Sequence, residues 1–442
     1  MKNEPRTTVD ASAIWTLILL TLSLIVSFMD RQSLNLVVDP VRRDIGITDV
    51  QIGLLQGGAF AILFTAVGLP IGRAVDLYSR KWIITAGVLV WSIATVFSGL
   101  ATRFQGMFLA RIFMGIGEAT LLPAGTSLIA DIFPPGRRAT AIGIFFLGTA
   151  VGSAVANLAG GMLLGMIQGG AFHWIAMSRG LSAWRVLFCL ISLPGMLLTL
   201  LLLTLREPKR RLPGARRKAS SRVVLLQLFE RRAVLLPLYC SLGFTALWSL
   251  AVVSWAPTLL SRVYGQTSIV LGTELGVTGL VGGTIGILIS GPLGDWLVLK
   301  DGLRGRLVAT IGALILGIPT AFLGSIHSPT AIALMFGLMC ATTSAAGTLA
   351  ATSIQDAVTS EMRGIATALI SVFTTVIGLS VGPWLVGFLT EHVLKNSLSL
   401  GMAISCVAVP GAIAAALSLL PAVLVAVRAH GPSQIQPKVG RV

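Results

Sequence analysis

The sequence predicts an all-α membrane protein of twelve transmembrane helices, arranged as two pseudo-symmetric six-helix bundles. Three observations lead there. Only 11% of the 442 residues are charged while 55% are hydrophobic, against about 25% charged in a soluble domain. Apolar runs of membrane-spanning length, about 20 residues, recur twelve times along the chain. Finally, Gly72 and Asp76 after the second run are echoed by Gly291 and Asp295 after the eighth, an offset of 219 that is close to half the chain.

In order, the spans are expected near 13–38, 50–76, 81–101, 105–131, 138–168 and 184–205, then 233–259, 268–297, 306–325, 330–354, 364–389 and 399–427. The first run is followed by no small-residue cleavage site before Asp30, so it reads as a retained span and not a signal peptide. The natural division is an N-terminal bundle at 1–205, a basic linker at 206–232, a C-terminal bundle at 233–427 and a tail at 428–442. The linker holds ten Lys or Arg together with Pro208, Pro213 and Gly214. Its 222–232 stretch, RVVLLQLFERR, has the make-up of a short amphipathic helix lying on an anionic inner leaflet.

Orientation follows from Lys and Arg in the loops. With the N-terminus inside, the inner segments hold 23 and the outer loops 7. Both termini are therefore expected in the cytoplasm, in a bacterial-type inner membrane. The net charge of +16 belongs to this loop pattern and not to a nucleic-acid-binding face. Cys189, Cys240, Cys340 and Cys406 are widely spaced in apolar runs, and the four histidines lie in loops or the tail. No metal site, cofactor, disulfide framework or nucleophile–base pair is expected, so the chain does not read as an enzyme.

Ionisable residues at membrane depth cost about 2.5–3.5 kcal/mol each on insertion scales and are functional candidates by default. Four stand out: Asp30 and Arg31 in the first span, Arg111 and Glu118 in the fourth. Arg111 and Glu118 are seven positions apart, two helical turns on one face, with Gly115 between them expected to leave that face open. Glu118 and Asp30 are expected to titrate, and Arg111 to hold a carboxylate or phosphate. Arg31, about 100° around the helix from Asp30, is expected to snorkel outward, with a substrate contact as the second possibility. Trp248 and Trp255 are candidates for the cavity wall, as are Thr342, Thr343 and Ser344. Pro123 is expected to kink the fourth span.

Residues 72–81, GRAVDLYSRK, resemble the loop signature of the major facilitator superfamily: Gly72, Asp76, Arg80 and Lys81 match, while Ala74, Leu77 and Ser79 depart from it. ARIFMGIGEA at 110–119, Met29-Asp30-Arg31 and QIGLLQ at 51–56 resemble its spinster-like branch. The likeness covers residues 28–145 well and the C-terminal half in layout only. It implies alternating access by two rocking bundles, a cytoplasmic gate at Gly72, Asp76, Arg80, Lys81 and Asp295, and a monomer. It further implies proton-linked or facilitated movement of lysolipids or sphingoid lipids. Organic-acid uptake and drug efflux are the alternatives, and a membrane-embedded lipid enzyme lacks the residues it needs.

Overall fold

The computed structural model describes residues 10–172, 180–208, 221–359 and 362–429, all helix, turn or loop and without a strand. Eleven described segments are long and apolar enough to cross a membrane. One of them, Ser268–Ser325, is two spans: Gly302 sits at φ 58°, ψ −147° and turns the chain back, a conformation glycine adopts without a Cβ penalty. The twelve helices are α1 (Ala11–Leu36), α2 (49–77), α3 (Arg80–Leu100), α4 (Phe104–Ile132), α5 (Pro135–Gln168) and α6 (Ala183–Leu202). The second half comprises α7 (Arg232–Arg262), α8 (268–301), α9 (303–317), α10 (Pro329–Ala357), α11 (363–393) and α12 (400–429).

Local chemistry sets several boundaries. Thr48 and Gln51 form a reciprocal capping box that starts α2, satisfying two otherwise orphaned N–H groups. Pro135 and Pro329 occupy first-turn positions, where a missing N–H costs nothing. Pro123 does break α4: the helix interrupts at Ala119–Thr120, directly after Glu118, because a proline ring clashes with the carbonyl four residues back. The helix Ser221–Glu230 precedes α7, with Leu226 and Phe229 exposed and Leu228 buried. Residues 209–220 of the basic linker lie outside the described residues.

Packing differs at the two ends of the molecule. At the end remote from the linker (the far end), Leu34, Val37, Ile52 and Leu55 of the first half share one buried core with Trp255, Leu259, Leu260 and Val386 of the second. Toward the linker end, Leu20, Ile84, Leu128, Ile129 and Leu198 form a separate core of the first half. The halves meet along α5 and α8, where Gly161 and Gly272 pack backbone to backbone, and again where π-helical segments Leu54–Gly58 of α2 and Thr374–Val381 of α11 abut. A Cβ on Gly57 would stand 1.8 Å from the Leu379 carbonyl oxygen, so only glycine allows that approach.

Candidate functional site

The four deep charges come together inside the first half. Asp30, Arg111 and Glu118 are buried to 2% exposure or less. Arg31 forms an ion pair with Glu118, and its side chain keeps 21% of its exposure against 1% for the acid. The Arg31 guanidinium lies between two aromatic faces, 4.7 Å from the Phe28 centroid and 4.3 Å from that of Phe60, which delocalised cations favour. Arg31 therefore turns inward, correcting the expectation that it snorkels to the headgroups.

Arg111 is not the partner of Glu118. Its Nη1 donates to the Arg31 carbonyl at 3.2 Å, its guanidinium stands 5.9 Å from the Phe188 ring, and its Nε and Nη2 have no hydrogen-bond partner. It points into the first half, so Arg31 and not Arg111 is the basic group nearest solvent. The Asp30 carboxyl is buried beside the Thr95 side chain, within electrostatic reach of Glu118 and Arg111. One oxygen of Glu118 is unpartnered. Gly115 does not open a face: a Cβ there would stand 2.8 Å from the Phe60 carbonyl, because α2 packs on it.

Beside this cluster a cavity of about 320 Å³ separates the halves. Its walls include Phe28 of α1, Ser153 and Asn157 of α5, Ser249 of α7, and Phe336, Met339, Thr343 and Ser344 of α10. Phe28 thus touches both the cavity and Arg31. Gln32, the next residue on α1, donates to Ser153 Oγ at 2.8 Å, a second tie that sequence reading did not single out. The wall is hydroxyl, amide and apolar. Thr343 and Ser344 line it as expected, the Thr343 hydroxyl donating to the Met339 carbonyl at 2.7 Å, while Thr342 is buried outside the wall.

Trp248 and Trp255 are not in this wall. Trp248 is buried against Gly317, Thr342 and Gly411, and Trp255 donates to the Pro383 carbonyl at 2.9 Å. Trp248 packs within the second half and Trp255 in the far-end core that the halves share, so both indoles are packing residues.

At the linker end, buried Arg80 pairs with Asp131 and with Glu207, the latter at 3.0 Å. Lys81 donates its backbone N–H to Glu207 at 2.8 Å and its ammonium to the Leu203 carbonyl at 2.7 Å. In the second half Arg306 pairs with Asp356, and with mostly exposed Asp295 at 3.5 Å. Arg80 and Arg306 open α3 and α9, and Asp131 and Asp356 close α4 and α10, so the two knots occupy matching places in the repeat. Neither knot joins the two halves: one ties spans of the first half and the start of the linker, the other ties spans of the second half. Gly72 has open space around it, and the side chain of Asp76 lies outside the described residues.

The far end carries the polar contacts between halves. Arg262 of α7 donates to Asp39 Oδ1 at 2.6 Å and to Asp49 Oδ2 at 2.9 Å. The Val50 N–H reaches Glu391 at 3.2 Å, and Gln56, tied to Asn35 of its own half at 3.1 Å, donates across to the Ser254 carbonyl at 2.9 Å. Here the molecule is shut.

Residues 20–383 match the family model of the Major Facilitator Superfamily. The chain is 26% identical over 430 residues to the probable L-galactonate transporter of Escherichia coli, covering 90% of this chain and 87% of that one. It is 29% identical over 318 residues to human protein spinster homolog 1, covering 64% of this chain and 56% of that one. It superposes with a TM-score of 0.77 on a bacterial homolog of the human lysosomal transporter spinster in its inward-facing, unoccupied conformation, at 25% identity and covering 95% and 96% of the two chains. Twelve helices in two halves, shut at one end around a buried charge cluster, agree with these likenesses: the chain belongs to the Major Facilitator Superfamily, in its spinster-like branch, and is a transporter and not an enzyme.

Proposed function

We propose that this secondary transporter is proton-coupled and moves an amphipathic organic anion, with Arg31 and Glu118 as the coupling pair. The single observation behind this reading is the Arg31–Glu118 ion pair at the edge of the cavity, with Asp30 and Arg111 buried beside it. A buried acid that loses its charge no longer holds its base. Protonation of Glu118 frees Arg31, and the freed guanidinium takes the carboxylate or phosphate of the substrate. Asp30, buried with no ion pair among the described residues, is the second proton acceptor, and Arg111 the fixed charge that biases both acids. The ion pair re-forms only when proton and anion have both left, which couples their movement.

Lysolipid and sphingoid-type lipids follow from the spinster likeness. A second reading, a small hydroxylated carboxylate, rests on the hydroxyl and amide wall formed by Ser153, Asn157, Ser249, Thr343 and Ser344. The name of the Escherichia coli relative points the same way. In either case the chain acts as a monomer in a bacterial-type inner membrane. The linker end and both termini are cytoplasmic, the helix Ser221–Glu230 rests on the anionic inner leaflet, and the two bundles are 1–205 and 233–427.

The test is flux into reconstituted vesicles with and without a proton gradient, against a lysophospholipid, a sphingoid phosphate, an aromatic carboxylate and a hexuronate. Gradient-driven flux of one class, lost in Glu118→Gln while substrate exchange persists, supports the proposal. Wild-type gradient dependence in both Glu118→Gln and Arg31→Ala overturns it.

A further inference from the structure

A second concavity lies on the faces of α3 and α4 turned away from the charge cluster. A crease of about 940 Å³ runs between α3 and α4 on the outer, lipid-facing side of the first half, starting at the far end. Ala94, Gly106 and Ala110 keep its floor low, and Phe97, Leu109 and Phe113 form exposed rims. From Arg103 to Phe113 it follows α4 for ten residues, about 15 Å at 1.5 Å per residue. That is half of the roughly 30 Å hydrocarbon core, the depth of one leaflet.

Its mouth is polar. Thr102, Arg103 and Gln105 are exposed there. The Arg103 guanidinium has no ion pair or hydrogen bond among the described residues. Two other arginines at this end are engaged: Arg185 with Asp44 and the Gly99 and Ala101 carbonyls, Arg262 with Asp39 and Asp49. Arg103 is also the N-cap of α4, with no side chain capping the first turn, so uncapped N–H groups add to the positive field at the mouth.

We propose that this crease binds an anionic glycerophospholipid of the surrounding membrane, its phosphate on Arg103 and an acyl chain laid along the rims. An unpaired cation at headgroup level above an apolar slot one leaflet deep complements the two ends of such a molecule. The site is independent of the transport reading, since it faces away from the cavity.

Native mass spectrometry of the full-length protein, titrated with phosphatidylglycerol and with phosphatidylcholine of identical chains, tests it. The wild type is expected to bind phosphatidylglycerol about fivefold more tightly, the worth of one basic residue at an anionic surface. Arg103→Gln removes that preference, and Arg43→Gln, another exposed arginine at this end, leaves it intact. Gly106→Leu fills the crease without strain, since a Cβ there meets only Ala101 at 3.7 Å, and it displaces the bound lipid. Equal binding of the two lipids by the wild type, or wild-type binding in both Arg103→Gln and Gly106→Leu, overturns the proposal. Circular dichroism and monodisperse elution confirm that the variants are folded.

Discussion

Arg31 on α1 and Glu118 on α4, 87 positions apart, form an ion pair whose acid is sealed from solvent and whose base is not. That asymmetry makes the pair a junction: the acid sits with Asp30 and Arg111 in the first half, and the base borders the cavity between halves through Phe28. Breaking such a pair by removing one partner typically costs about 3–5 kcal/mol. A proton on Glu118 and an anion on Arg31 together offset that cost, while either alone does so less completely.

Glu118→Gln keeps the shape and removes the titration. Gradient-driven flux is expected to fall by at least about tenfold, one factor of ten being 1.4 kcal/mol of coupling, while substrate exchange without net proton movement persists. Parallel flux and exchange assays on the same vesicles check this. Equal loss of both would instead mark Glu118 as a structural residue.

Arg31→Lys keeps the charge and loses the planar group that stacks between Phe28 and Phe60. Cation–π contacts of this kind are worth about 0.5–2 kcal/mol, and lysine offers no bidentate fork. Apparent substrate affinity is expected to weaken about tenfold with expression unchanged. Concentration-dependent flux measures it; an unchanged half-saturation point would show that the guanidinium does not meet the substrate.

Glu207 lies beyond the end of α6, where its pH dependence can be read separately from the cluster. Burial alone would raise its pKa, but hydrogen bonds from the Lys81 N–H, Arg80 and Ser79 outweigh burial and hold it below the usual carboxylate value. A depressed folded-state pKa contributes stability above the unfolded value of about 4.3, lost as pH falls through the folded value. Glu207→Gln is therefore expected to melt a few degrees below wild type at pH 7, with the gap closing below about pH 4. Thermal melts at both pH values decide it.

Gly57→Ala places a methyl group against the Leu379 carbonyl, where 1.8 Å of space is left. Backbone on both sides must move, so the far-end seam parts and the shut conformation loses population. Spin labels at exposed Arg43 and Lys395, one in each half, are expected to report a longer far-end distance in this variant. An unaltered distance distribution would mean the seam absorbs the methyl group by local adjustment.

Much of this architecture was legible in the sequence, because lipid leaves the chain few choices. Each span must satisfy its own backbone, so apolar length located all twelve helices, including α8 and α9, which run together except at Gly302. The deep charges were legible as a set, since few ionisable residues lie at membrane depth. Their pairing was not. Helical spacing placed Arg111 and Glu118 on one face, but partners are chosen across helices, and the inward turn of Arg31 depends on Phe60 from α2. The same limit hid Gln32–Ser153 and the contacts of Arg262. Trp248 and Trp255 misled because an indole suits a core or a cavity equally well, and only its neighbours decide.

Arg262 gives the sharpest conformational prediction. It reaches from α7 to Asp39 and Asp49, and Asp49, buried to 3% exposure, has Arg42 at 3.7 Å as its one further basic neighbour among the described residues. Arg262→Ala leaves two carboxylates facing the second half without their cation, at a cost on the order of 3–5 kcal/mol borne by the far-end-shut state alone. A shift of about 5.5 kcal/mol carries a two-state equilibrium from 1:99 to 99:1, so this one substitution is enough to make the far-end-open form a major population. Arg262→Lys restores one contact but not the fork, and is expected to fall between. The Arg43–Lys395 distance distribution should lengthen in the order wild type, Arg262→Lys, Arg262→Ala. Identical distributions in all three would show that the apolar seam of Leu34, Ile52, Trp255 and Val386 holds the far end shut without ionic help.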